Sequence, residues 1–319
     1  MTGVVTAACL TALAAGVGGN GPAPRAEPPA LQAEPPALAT LPVVAEHRYR
    51  IAAKIRPLLL FWIGKDDVGG ARIRWRKGDG DTRGYEALIG SDPARAPRKI
   101  NRWGFILEEI GPAGARIVGI MKKSDEETLD EAKSRVAAEA KGAVVFKMIQ
   151  SAVSQTEAVS RVTVSTVPRD YSYREFDAIV DLLTKETAPP RIQRTPVSPG
   201  VRTGLLSAVI ELLHDGVEAV KRTGKAPGRK GLGYVYYAKQ YDLTRVSSNV
   251  ERNVTYGGVA YPALLKSDFE VRARTESWSE SFTIVCGING PLAEIPVFLT
   301  YQPRWWFKVE MVLDERQVF

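Results

Sequence analysis

Tyr49-Arg50-Ile51-Ala52-Ala53-Lys54-Ile55-Arg56 and, further on, Arg72-Ile73-Arg74-Trp75-Arg76 decide the fold class. In both, apolar and basic side chains alternate, which is the period of a strand with one buried face and one wet face. Between them, Leu58-Leu59-Leu60-Phe61-Trp62-Ile63 reads as a continuation buried on both sides. Lys65-Asp66-Asp67-Val68-Gly69-Gly70 reads as the turn that follows it. Gly78-Asp79-Gly80-Asp81 predicts another turn, and 85–89 a returning strand. Residues 48–90 therefore read as an antiparallel meander, with strands continuing to 110.

Alternation returns near the C-terminus. Phe269, Val271 and Ala273 alternate with Glu270, Arg272 and Arg274. Phe282, Ile284 and Cys286 make one strand face, and Ile295, Val297 and Leu299 another. Trp305, Phe307, Val309, Met311 and Leu313 make a third. Between the two β regions the period turns helical. Ser124 with Glu127 and Ser172 with Glu175 are capping-box patterns, predicting helices near 125–140 and 173–186 with a short strand over 162–167. Leu206, Val209, Ile210, Leu213, Val217 and Val220 fall on one helical stripe over 204–222. The expected fold is α+β: a strongly curved antiparallel sheet or barrel-like β domain with a central helical insertion. Its parts are strands 48–110, a helical middle 124–222 and strands 233–314, in a single domain over 43–319.

The N-terminal 42 residues read differently. Val4-Val5-Thr6-Ala7-Ala8-Cys9-Leu10-Thr11-Ala12-Leu13-Ala14 is an apolar run with an A-x-A site, so 1–19 reads as a signal peptide, although no Lys or Arg precedes the run. It is too short for a membrane-spanning helix. Residues 20–42 carry two near-copies of Ala-Glu-Pro-Pro-Ala-Leu and read as a disordered Pro/Ala linker. The expected location is periplasmic or secreted.

The chain has 319 residues, two Cys, two His and a net charge of +7. That shortage excludes an all-thiolate zinc site and leaves little for triad chemistry. Glu211-Leu212-Leu213-His214 has the E-x-x-H spacing of di-iron helices, but His47 sits at a strand start, so the set of two is incomplete and a structural histidine is the reading. Asp79-Gly80-Asp81 begins like a calcium loop, yet Arg83 and Gly90 occupy ligand positions, and a hairpin turn accounts for it. Cys286, in mid-strand, reads as inert core. Asp66-Asp67 and Glu108-Glu109 are the adjacent carboxylate pairs. Gly224-Lys225-Ala226-Pro227-Gly228-Arg229-Lys230-Gly231-Leu232-Gly233 lacks phosphate-loop order and reads as a connector.

The basic strand faces offer more. Arg48, Arg50, Lys54 and Arg56 share one face, and Arg72, Arg74 and Arg76 another. Paired strands would merge them into a patch for lipid headgroups, glycans or nucleic acid, unless neighbouring Glu and Asp neutralise it. No nucleic-acid recognition motif accompanies the charge, so nucleic acid is not an expected partner. Trp75, Trp305 and Trp306 are candidate binding aromatics. Adjacent strand residues point to opposite faces, so one of Trp305 and Trp306 is expected in a second layer, a pocket mouth or an interface.

The stretch 49–89, with Val68-Gly69-Gly70-Ala71-Arg72-Ile73, and the segment Leu292-Ala293-Glu294-Ile295-Pro296-Val297-Phe298-Leu299 resemble uncharacterised exported bacterial β-rich domains. Those chains pair a strand ending in Val-Gly with one ending in a Pro-Val-x-Ile-type segment. The resemblance covers less than half of the chain and implies an envelope β-barrel-like domain with no established activity. The functional expectation is a non-enzymatic envelope protein that holds an apolar or amphiphilic ligand or docks a partner: lipid, glycan or another envelope protein. No cofactor, metal or transmembrane span is expected. The alternative is a carboxylate-dependent hydrolase of envelope glycans, and a third possibility is a structural interaction module.

Overall fold

The computed structural model describes residues 41–56, 62–121, 142–183, 190–201, 204–237, 239–275 and 277–314. The leader, most of the Pro/Ala stretch, the 125–140 helix and the apolar run 57–61 lie outside these residues.

Eight strands precede the long helix: β1 (Val43–Ile55), β2 (Ile63–Lys77), β3 (Arg83–Ser91), β4 (Trp103–Gly111), β5 (Gly114–Met121), β6 (Val144–Val153), β7 (Glu157–Val167) and β8 (Arg191–Pro196). A short helix, α1 (Phe176–Leu183), lies between β7 and β8, and α2 (Leu205–Thr223) follows β8. Among the described residues, six more strands follow: β9 (Lys230–Tyr236), β10 (Lys239–Tyr256), β11 (Val259–Ala273), β12 (Ser279–Gly287), β13 (Pro296–Arg304) and β14 (Phe307–Leu313).

All fourteen strands belong to one sheet in the order β8-β7-β6-β5-β4-β3-β2-β1-β14-β13-β12-β11-β10-β9. Every neighbouring pair is antiparallel, and all are sequential except at the seam, where β1 pairs β14 from Tyr49↔Leu313 to Ile55↔Phe307. The sheet is curled and not closed, with β8 and β9 as its edges. Side chains link β8 to the turn after β9 and to the start of β10: Arg191 donates to the Tyr237 hydroxyl, and Gln240 Nε2 donates to the Pro196 carbonyl at 2.9 Å.

Two local signals resolve differently from the sequence reading. Residues 65–70, expected as a turn, lie inside β2. Their turn chemistry appears as a bulge, with the register jumping from Ile51↔Gly69 to Ala53↔Lys65 and Asp67 at φ 62°. The middle contains β6, β7 and β8 as well as helices. The 157–167 segment, Glu-Ala-Val-Ser-Arg-Val-Thr-Val-Ser-Thr-Val, is rich in β-branched residues and extends the expected short strand on its N-terminal side, ending at Val167 as expected.

The helices cover opposite faces of the sheet. Ser172 and Glu175 form the expected capping box, which opens a 3-10 turn at Tyr173–Glu175 leading into α1. Phe176 stacks on Phe105 at 4.5 Å and meets Trp103 edge-on at 5.5 Å, sealing the outside of β4 to β6. Gly90 is required there, since a Cβ would lie 2.5 Å from Tyr173. The long helix α2 packs within the curl, where Ala208, Leu212 and Val217 are buried against Tyr236, Leu265 and Phe269. Gly224, at φ 69°, ends it in the left-handed conformation that closes many helices.

Candidate functional site

The apolar stripe of α2 divides into two. Leu213, Val217 and Val220 are buried in the core, whereas Leu206, Val209 and Ile210 are only half-buried. These three and Leu213 form one wall of a partly enclosed interior cavity of about 150 Å³. Ile73 and Trp75 of β2, Phe282 of β12, Leu299 of β13 and Met311 of β14 face them. Strand alternation puts these side chains inward, and the β1–β14 seam brings the two ends of the chain to one chamber. Glu280 is the one carboxylate-bearing residue among the described lining residues. The wall is otherwise aliphatic or aromatic, as small-molecule sites commonly are.

Glu108 sits beside the chamber. On β4, Ile106 and Glu108 point inward, while Glu109 points outward and pairs with Arg116 at 2.8 Å. The adjacent carboxylates therefore lie on opposite sides of the sheet and cannot act together. The Glu108 carboxylate accepts the backbone N–H of Leu206 at 2.8 Å and of Ser207 at 2.9 Å. It thus caps α2 from across the fold, where the N-cap residue is Gly204 and offers no side chain. A Cβ on Gly204 would fall 2.3 Å from the Glu108 carboxyl carbon. Burial pushes the Glu108 carboxyl up to about 7, and the bonds from Ser207 and Leu206 pull in the other direction. The sequence does place a carboxylate here, but nothing local assigns it to a helix 98 residues away.

The basic faces do merge as expected, since Arg48 pairs with Arg72 and Glu46 with Arg74 in the β1–β2 register. They do not form a free cationic patch, because carboxylates are interleaved with them. Arg74 bonds Glu46 at 2.7 Å, and Arg76 bonds Glu86 at 2.5 Å. Arg72 is buried, meeting Glu86 at 3.5 Å and Asp177 of α1 at 3.3 Å. Arg50 lies 3.4 Å from Asp314, and Lys54 lies 2.7 Å from Glu310. Burial pushes the Glu46 carboxyl up, but hydrogen bonds from Arg74 and Arg48 outweigh this and hold it below its ordinary value. Arg56 has no carboxylate partner among the described residues, and its backbone N–H donates to the Trp306 carbonyl at 2.8 Å.

Trp75 lines the cavity and meets His47 edge-on at 5.3 Å. Trp305 and Trp306 are not on a strand. They form the two-residue turn between β13 and β14, so alternation does not apply and both are exposed, 57% and 38%.

One further cluster was only half legible. His214 and Glu218, one turn apart on α2, are joined by Glu294 from the loop before β13, with one ligand atom of each within 4.8 Å of the others. His214 Nδ1 lies 2.8 Å from Glu294, and Lys221 lies 2.9 Å from Glu218, so protein partners already engage all three. Glu211, the other half of the E-x-x-H spacing, is not in this group. Cys286 is fully buried, and burial pushes its thiol up to about 12.

Among the described residues, no helix is long and apolar enough to cross a membrane. No protein-family model matches the chain, and no curated protein matches it. Among solved structures, the chain is similar to a protein from Brucella abortus described as a beta-barrel-like protein of Domain of Unknown Function DUF1849, with 9% identity over 88% of this chain and 98% of that one and a TM-score of 0.40.

Proposed function

We propose that this chain is a non-enzymatic, exported envelope protein that holds an apolar or amphiphilic molecule within its curled sheet. The observation that carries the reading is the cavity of about 150 Å³ bounded by the half-buried stripe of α2 and by inward side chains of β2, β12, β13 and β14. An apolar cavity of that size stays dry and takes up small apolar molecules such as benzene. A carboxylate-dependent hydrolase of envelope glycans would need two carboxylates facing each other across an accessible cleft. Glu108 is committed to the N-terminus of α2, which leaves Glu280 as the carboxylate-bearing residue of the wall. The export part of the proposal rests on the apolar leader and the Pro/Ala stretch that follows it.

Native mass spectrometry and lipid extraction on protein purified from its own host test the reading. The expected result is a bound apolar molecule that is lost when Val209→Phe fills the chamber. Recovery of none at any occupancy contradicts it. N-terminal sequencing of the mature protein tests export, and an intact Met1 in the cytoplasm overturns that part.

A further inference from the structure

We infer that the molecule held in the chamber is a single-chain amphiphile with an anionic headgroup, its tail inside against α2 and its head at the β2–β3 hairpin, between Lys77 and Arg83. The inference rests on the cavity reading above and names the chemistry of the ligand. Trp75 and Tyr85 are cross-strand partners on β2 and β3. They line the apolar chamber of about 150 Å³ and also a second, wider depression of about 690 Å³. The depression therefore adjoins the chamber at this pair of rings, on the side of the hairpin turn. A chamber of that size takes one small apolar group, hence one chain and not two.

The sign of the headgroup follows from the charge at the depression. Lys77 and Arg83 are paired in the register two residues beyond Trp75 and Tyr85, so strand alternation puts all four side chains on one face. Both cations line the depression, both are exposed, and neither has a carboxylate partner among the described residues. Like charges set directly opposite on paired strands repel, and an anion between them removes the repulsion. Asp81, in the turn, is the one carboxylate-bearing residue of the described lining, and it is bonded to neither cation. On the other face of β2 the cations are engaged, Arg74 by Glu46 and Arg76 by Glu86.

Two further donors stand where the spaces adjoin. The Trp75 indole N–H and the Tyr85 hydroxyl have no hydrogen-bond partner among the described residues. Burial pushes the Tyr85 hydroxyl up, and the Arg83 guanidinium pulls it in the other direction, so that cation lies close to the phenol. Inside, the wall carries Glu280, which also has no partner among the described residues. An anionic head is repelled by that carboxylate and attracted by Lys77 and Arg83, which sets the orientation: tail in, head out.

The test is calorimetric titration of the full chain with octanol, octanoate and octylamine, three heads on one tail, at about pH 8, where the acid is negative and the amine positive. The expected result is that octanoate binds roughly fivefold to tenfold tighter than octanol, the yield of two partly exposed ion pairs, and that octylamine binds more weakly than octanol. The advantage of octanoate should shrink at high salt and vanish in Lys77→Gln/Arg83→Gln. That variant removes two exposed side chains with no carboxylate partner, and its octanol affinity, equal to that of the wild type, shows that its chamber is intact. Octanol binding with no gain for octanoate, a gain that the variant keeps, or tightest binding by octylamine overturns the inference and leaves the cavity reading standing. Binding of none of the three overturns the cavity reading and this inference with it.

Discussion

A Glu108→Gln variant is expected to remove a pH dependence of stability that the wild-type chain carries between about pH 4.5 and 7. The wild-type carboxyl is fully buried, and burial raises it from 4.5 to about 7. The folded state therefore binds the proton more tightly than the unfolded state does. Its favourable contribution is complete below about pH 4.5 and disappears as pH rises through about 7. At about 1.4 kcal/mol for each tenfold change in proton affinity, the loss is about 3 kcal/mol. Glutamine keeps the size of the side chain and one acceptor oxygen for the α2 amides, and it does not ionise. Urea unfolding of both proteins across pH 4.5 to 8 isolates the effect as the difference between them. The carboxylates held below their ordinary values, Glu46, Asp215 and Glu310 among them, act in the acid range and are common to both proteins, so they cancel. The difference should move in favour of the variant by about 3 kcal/mol as pH rises. A difference that stays flat refutes the burial of an ionisable carboxyl at the start of α2.

Two further outcomes follow from the interior. Arg245 is buried and donates to the Leu212 carbonyl at 2.6 Å, to Asp215 at 2.8 Å and to the Gly228 carbonyl at 3.2 Å, pinning the second half of α2 to β10. Arg245→Ala should cost about 3 kcal/mol in urea unfolding, since it strands two carbonyls while Asp215 keeps Lys230 at 2.6 Å; a cost within error of zero contradicts the pinning role. Cys286, in a Cys9→Ser chain, should not react with a disulfide thiol reagent at pH 8 until urea unfolds the protein, and immediate reaction of the native chain would show that the thiol is not buried.

The pattern legible in the sequence was the local one. Alternation over 49–56 and 72–76 marks β1 and β2, and the stripe over 204–222 marks α2 to within a residue at each end. What escaped depends on register. Turn residues 65–70 become a bulge because β1 offers partners on both sides of them. The strand cations looked like a binding patch because the carboxylates that meet them, Glu86 and Glu310, arrive from β3 and β14. The stripe of α2 could be read as apolar, but only the closure of the β1–β14 seam shows that Leu206, Val209 and Ile210 face a chamber and not packed core. Likewise, no spacing rule joins Glu108 to an α2 that begins almost a hundred residues later.

Calorimetric titration with a series of n-alkanols of rising chain length tests the central claim, that the chamber beside α2 is a ligand site. The account predicts one saturable site whose binding carries a negative heat-capacity change. Affinity should grow about fourfold for each methylene, about 0.8 kcal/mol, until the chamber is full and then level off. The site should be absent in Val209→Phe. Failure of every alkanol to saturate, or unchanged binding by Val209→Phe, would contradict the account.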